Sequence, residues 1–263
     1  MDTEPVFLPE GNVYHPTGRA VGPWTSDTLQ GSASAGLLAR ALERVEQPAA
    51  MVLSRLSFDL WRPVARRSLT VAVSVLRDGR KARTVEASLV QDDKAVARCT
   101  ALFLRADPAS APPSETRVAS PPGPEAGRPI PDHVRAWSPF FRGVDTRVID
   151  GDLEQPGPTA AWFTLGPSLV EGEDNSALVQ TVSAADLASG ISASVDRRAW
   201  SYVNADLTVM MWRPPRGGWI LVSAETKAGD QGTGLAVGLL SDVHGPFGSC
   251  AQNLVFERAS RSR

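Results

Sequence analysis

NADLTVMMWRPP, residues 204–215, has a degraded copy 151 positions earlier in the chain. At that offset Leu56, Phe58, Leu60, Trp61, Arg62 and Pro63 fall on Leu207, Val209, Met211, Trp212, Arg213 and Pro214. The register holds downstream without a gap: Val71 falls on Val222, Cys99 on Cys250 and Phe103 on Leu254. An internal copy of this length points to two similar halves of roughly 105 to 130 residues, each large enough for a core of its own. One position breaks the likeness, because Arg55 stands where the second copy has Asp206.

Around WRP the first half predicts four strands, approximately 52–62, 68–77, 81–91 and 95–105, with alternation as in LTVAVSV and a turn at Asp78-Gly79. Upstream, Ala33, Leu37, Leu38, Ala41, Leu42 and Val45 recur at helical spacing, with Arg40, Glu43 and Arg44 opposite. Ser32 or Ser34 could cap this helix, and Pro48 follows its end. Val6 to Leu8 and Ala20 to Trp24 are further strand candidates. The second half predicts a strand at 160–165, a helix at 184–195 and strands at 202–212, 218–226, 233–241 and 248–257. Residues 106–135 mix Pro, Ala, Ser and Gly without apolar period and read as a connection. One helix against several antiparallel strands, twice over, is an α+β layer architecture.

The 263-residue chain is 42% apolar and 21% charged with a net charge of -2, an ordinary soluble composition. Lys and Arg are scattered among Asp and Glu, so neither nucleic acid nor an anionic membrane is an expected partner. The N-terminus lacks a basic region followed by an apolar run, so a cytoplasmic location is expected. Cys99 and Cys250 occupy equivalent points of the repeat and read as small core side chains in a reducing compartment. His15, His133 and His244 stand apart near Pro or Gly, without metal-ligand spacing, and read as loop residues. GSASAG lacks the first glycine of a nucleophile elbow. Gly232, Gly234 and Gly238 run into a strand pattern where a phosphate loop needs a helix, so they read as a bulge or close approach. No metal and no cofactor is called for.

What remains is polar residues inside apolar strands. Asp206 shares a face with Asn204, Thr208 and Met210, opposite Val203, Ala205, Leu207, Val209 and Met211. A mid-strand carboxylate is either solvated on an outer face or functional. Gln252 interrupts the face of Cys250, Leu254 and Phe256, where the first copy has Ala101. Thr226 shares a face with Ile220, Val222 and Ala224.

GPW at 22–24, GSASAGLLARALE at 31–43, LSFDLWRPV at 56–64 and RDGRKA at 77–82 resemble the first half of the TesB-like acyl-CoA thioesterases. AADLASGIS at 184–192, ADLTVMMWRPPRGGW at 205–219, SAETKAGDQGTGLA at 223–236 and DVHGPFGSCAQNLVFER at 242–258 are similar to the second half. The resemblance implies a double hot-dog: an N-terminal unit over 1–107, a Pro-rich linker over 108–135 and a C-terminal unit over 136–263. In each unit an antiparallel sheet wraps a long helix. It further implies a water held by an Asp, a Thr or Ser and a Gln of the second unit, attacking the carbonyl of an acyl-CoA or carrier-bound thioester, in a homo-oligomer.

Carried over by motif, the catalytic residues are Asp206, Gln252 and Thr226, although the ungapped hydroxyl position is Lys227. Many relatives carry HGG where this chain has Gln30, Gly31 and Ser32. Gly31, Ser32, Lys227 and Asp186 are the candidate substrate-binding residues. Asp186, expected in the first turn of the second helix, is either a site residue or a carboxylate complementing that helix's dipole. The thioester is expected near a helix start, with the acyl chain between helix and sheet. A non-hydrolytic acyl-thioester binder and a dehydratase, isomerase or cyclase on the same fold are the alternatives.

Overall fold

The structure is a computed structural model that describes residues 4–47, 50–112 and 120–259. Its N-terminal part contains β1 (Phe7–Glu10), β2 (Val13–Pro16), α1 (Gly31–Glu43), β3 (Met51–Asp59), β4 (Leu69–Asp78), β5 (Ala82–Gln91) and β6 (Lys94–Arg105). Then come β7 (Arg128–Pro129), α2 (Asp132–Arg135), α3 (Pro139–Arg142), β8 (Val144–Asp150) and β9 (Thr159–Leu165). The chain ends with α4 (Ala177–Ala185), α5 (Ala188–Ile191), β10 (Trp200–Asn204), β11 (Asp206–Met211), β12 (Ile220–Ala228), β13 (Thr233–Asp242) and β14 (Gly245–Arg258).

All strands belong to one antiparallel sheet, ordered β1-β2-β4-β5-β6-β3-β11-β14-β13-β12-β9-β8-β7, with β10 also paired to β14. The two WRP-bearing strands meet at its middle. Phe58 pairs with Leu207, Ser57 with Thr208 and Leu56 with Val209. Since Leu56 and Phe58 are the repeat counterparts of Leu207 and Val209, exchanging the copies maps each of these pairs onto the other. A pseudo-two-fold axis therefore runs through the Ser57–Thr208 pair.

The flanking ladders repeat the same offset. Phe58 pairs with Cys99 as Val209 pairs with Cys250, Ala87 with Cys99 as Gly238 with Cys250, and Val71 with Leu89 as Val222 with Leu240. The irregularities are copied too. β3 shifts register against β6 between Leu53 and Arg55, and opposite β14 an extra residue lies between Asn204 and Asp206. Each is a β-bulge, at Ser54 and Ala205 respectively.

The turn after WRP is held the same way in both copies by different chemistry. Gln91 accepts from Ala65 N at 3.1 Å and donates to Ala65 O at 2.9 Å. At the equivalent point the buried Asp242 accepts from Arg216 N at 2.9 Å, His244 N at 2.8 Å and Arg213 at 2.6 and 2.8 Å. WRP thus recurs for structural reasons.

α1 lies between the sheet and α4, so most of it is buried rather than one stripe. Its small residues allow this: a Cβ on Gly36 would come within 3.3 Å of Ser183 Oγ and Leu169 Cδ1. Leu37, Leu38 and Leu42 are fully buried in the core, each contributing about 2 kcal/mol.

Several expectations are corrected. The Pro-rich connection is not free along its length: Trp162 Nε1 donates to Pro122 O at 2.9 Å, β7 pairs β8, and Ile130 and Val134 enter the core. Ala20 to Trp24 forms no strand, and β2 takes the place beside β1. His15 lies in β2, bonded to Glu10 and Ser68, and His133 lies in α2. Pro48 falls outside the described residues. The second helix begins at Ala177 rather than 184, because Ser176 Oγ caps it by accepting from Val179 N at 3.1 Å, and it breaks at Asp186 before α5. Among the described residues no helix is long and apolar enough to cross a membrane.

Candidate active site

The bulge at Ala205 decides which side chains face inward. Tyr202 and Asn204 point to the helices on β10, while Leu207, Val209 and Met211 do so on β11. Val203 is exposed, so the single apolar face expected from Val203 to Met211 breaks at the bulge. Asp206 consequently faces away. Its carboxylate accepts from Asn253 N at 2.6 Å and Asn253 Nδ2 at 2.8 Å, occupying the backbone donor beside the bulge.

Asn204 donates from Nδ2 to Asp186 Oδ1 at 3.0 Å. Because α4 starts early, Asp186 stands at its C-terminal end, where a carboxylate opposes the dipole. The dipole it complements belongs to α1. Ser32 donates to it from Oγ, at 2.8 Å to Oδ2, and from its backbone N–H, and the Gln30 side chain donates as well. Gln30 itself provides no side-chain cap to α1, so the carboxylate of the second half serves as the cap. Gly31 is required by this approach, since a Cβ there would lie 2.7 Å from Asp186 Oδ2. Burial raises the Asp186 pKa above the ordinary carboxylate value, against the hydrogen bonds from Ser32, Asn204 and Gln30 that pull it down.

Gln252 is fully buried behind this carboxylate. It accepts from Ser189 N at 2.9 Å and donates to Asp186 O at 3.1 Å, bridging the break between α4 and α5. Thr226 faces inward by plain alternation, without a bulge in β12, and shares a 2.8 Å hydrogen bond with Ser192 Oγ. Lys227 points outward beside Glu225 Oε2 at 3.5 Å. Gly31, Ser32, Asp186 and Gln252 are therefore together, with Thr226 on the far side of α5, whereas Asp206 and Lys227 stand elsewhere.

Above Asp186 opens a cavity of about 360 Å³. Asp186, Gly31 and Asn204 form its polar floor, and Trp24, Trp137, Phe141, Trp200 and Tyr202 its walls. It lies at the start of α1, where Gln30 and Gly31 line it. Both cysteines are buried and held protonated: burial, then the nearby Asp186 charge, pushes Cys250 up to about 12, and burial puts Cys99 well above its ordinary value. Among the described residues no cluster of His, Cys, Asp and Glu could hold a metal. Sequence reasoning missed Asn204 and the aromatic walls. Asn204 sits two residues from Asp206 in NAD, and only the bulge separates their roles.

The architecture is the hot-dog fold. A conserved hot-dog protein from Alicyclobacillus acidocaldarius is 15% identical over 95% of each chain, with a TM-score of 0.72. The acyl-CoA thioesterase II TesB2 of Mycobacterium marinum is 17% identical over 96% of each chain, at 0.67. The tesB protein of Mycobacterium avium subs paratuberculosis is 14% identical over 95% of this chain and 96% of its own, at 0.66. In sequence, the acyl-CoA thioesterase N-terminal domain matches residues 20–104 and the acyl-CoA thioesterase C-terminal domain residues 124–256. The chain belongs to the acyl-CoA thioesterase family and is a thioester hydrolase. No curated protein matches its sequence.

Proposed function

We propose that this chain is a double hot-dog enzyme whose units span 1–107 and 136–263, and that it hydrolyses an acyl thioester with water activated at Asp186. The observation that carries this reading is one buried carboxylate, with a raised pKa, on the floor of an apolar cavity beside a helix N-terminus. Asp186 accepts a proton from water as it attacks the carbonyl, and Asn204 holds the carboxylate in place. The Gly31 N–H, in the first turn of α1, stabilises the oxyanion. Gln252 acts behind them by fixing the α4–α5 bend, and Thr226 by holding Ser192 at the end of α5. In this scheme Asp186 replaces Asp206 as base, since the Asp206 carboxylate is spent on Asn253.

The test is free-thiol release from a panel of acyl-CoAs, comparing the unmodified chain with Asp186→Asn, Gln252→Ala and Asp206→Asn. Loss confined to Asp206→Asn would return the base to that residue, and turnover unaffected by all three would end the proposal. A non-hydrolytic role keeps one supporting observation, the saturation of Asp186 by donors as a cap; tight thioester binding without thiol release would favour it.

Asp206 is expected to act through Asn204. Asp206→Ala frees the bulge and should lower kcat/KM about ten-fold, whereas the double variant with Asn204→Ala should be no worse than Asn204→Ala alone. Additive losses would contradict this. The same reading has the chain working as a cytoplasmic homo-oligomer on acyl-CoA or a carrier-bound thioester, and sedimentation as a strict monomer would contradict that part of it.

A further inference from the structure

The cavity walls are unusual for this chain. Only 6% of its residues are aromatic, yet three of its seven tryptophans, Trp24, Trp137 and Trp200, line one cavity together with Phe141 and Tyr202. Among the described residues the aliphatic lining is Pro23, Leu187 and Ile191. Two of the walls are held rigid by their neighbours, one of them by Arg197, which also lines the cavity. Trp137 stacks with Phe141 at 6.1 Å and 19° and carries the Arg197 guanidinium 5.0 Å from its ring centroid. Tyr202 donates from its hydroxyl to Ser189 O at 2.9 Å and packs against Phe256 at 5.1 Å.

We infer that the acyl group selected here is a planar aromatic one, of the benzoyl or arylacetyl class, rather than a saturated chain. This rests on the thioesterase reading of the same cavity. Rigid, flat, quadrupolar walls match a ring that loses little freedom on binding, whereas an alkyl chain must be ordered and gains no ring-on-ring geometry. A volume of about 360 Å³ suits a ring with its carbonyl at Asp186. The other flat group in the substrate is the adenine of coenzyme A. The pantetheine arm and the diphosphate separate adenine from the reacting sulfur, so with the thioester at Asp186 the adenine lies outside this cavity.

The test pairs acyl groups of equal carbon number, benzoyl with heptanoyl and phenylacetyl with octanoyl, as coenzyme A thioesters. Their non-hydrolysable ketone thioethers are titrated calorimetrically alongside free coenzyme A. The aromatic member of each pair is expected to be favoured at least ten-fold, in kcat/KM and in the Kd of its thioether. Trp200→Leu should collapse that ratio toward one, whatever the absolute values. Equal or better use of the alkyl member by the unmodified chain overturns the inference, and so does failure of every thioether to bind. A Trp200→Leu loss shared equally by free coenzyme A overturns it too, because the ring slot then holds adenine. Aromatic preference in binding without any thiol release leaves the inference standing and removes the hydrolytic reading instead.

Discussion

Asp186→Asn is expected to lower kcat/KM for the best thioester by at least about 100-fold while the chain stays folded. The substitution keeps the shape that contacts Ser32 and Asn204 but removes the proton acceptor. It also carries a stability signature that a mere loss of fold would not produce. Burial raises the folded-state pKa of Asp186, so the folded chain holds this proton to higher pH than the unfolded chain does. The stability this group contributes is complete below the unfolded value, about 3.9, and is lost as pH rises through the folded value. The loss amounts to about 1.4 kcal/mol for each pH unit separating the two. The stability of the unmodified chain minus that of Asp186→Asn should therefore fall as pH rises from acid toward neutrality, in paired denaturant titrations. A difference that grows with pH would mean that the site stabilises the charge. The acid limb of kcat/KM should likewise lie above the ordinary carboxylate range.

Asp242→Ala should be the most damaging change away from the cavity, costing about 3 kcal/mol. It removes the counter-charge of the Arg213 guanidinium, which keeps the Gly245 and Pro214 carbonyls, and strands the N–H groups of Arg216 and His244. Burial tends to raise the Asp242 pKa, but the hydrogen bonds from Arg213, His244 and Arg216 and the Arg213 charge bring it below the ordinary value. Its stabilising contribution is thus present above the unfolded pKa and is lost as pH falls through the folded one. The urea midpoint of Asp242→Ala should drop at neutral pH without a change in slope, and the gap to the unmodified chain should narrow in acid. A midpoint shift equivalent to less than about 1 kcal/mol at neutral pH would show that the WRP turn is held by other contacts.

The meander strands were legible because β-branched alternation and the repeat supported each other: the offset read from WRP makes Phe58 equivalent to Val209 and Cys99 to Cys250, and the ladders pair Phe58 with Cys99 as Val209 with Cys250. The second helix was less so. Its first turns carry Gln180 and Thr181, whose partners are the Leu165 and Ala177 backbones, and its apolar stripe of Leu178, Val182 and Ala185 is short and interrupted by these polar residues. The buried segment at Ile130 and Val134 was masked by the prolines of the connection. For the site, Gln252 was visible as a polar break in an apolar face, and Gly31, Ser32 and Asp186 through their place beside helix motifs. Asn204 was not. Ala205 fits an alternating strand as well as it fits a bulge, and the choice between Asn204 and Asp206 depends on which of them the backbone turns inward.

The axis through Ser57 and Thr208 has a consequence for how many ligands one chain takes up. Symmetry alone would furnish two equivalent pockets. At the repeat offset, however, Asn204 corresponds to Leu53, Thr226 to Val75 and Gln252 to Ala101, so these polar residues exist in one copy only. The N-terminal copy has instead given its helix start and the Trp24 loop to its neighbour's cavity. The molecule is symmetric in its scaffold and singular in its chemistry, and saturation should be reached at one acyl group per chain.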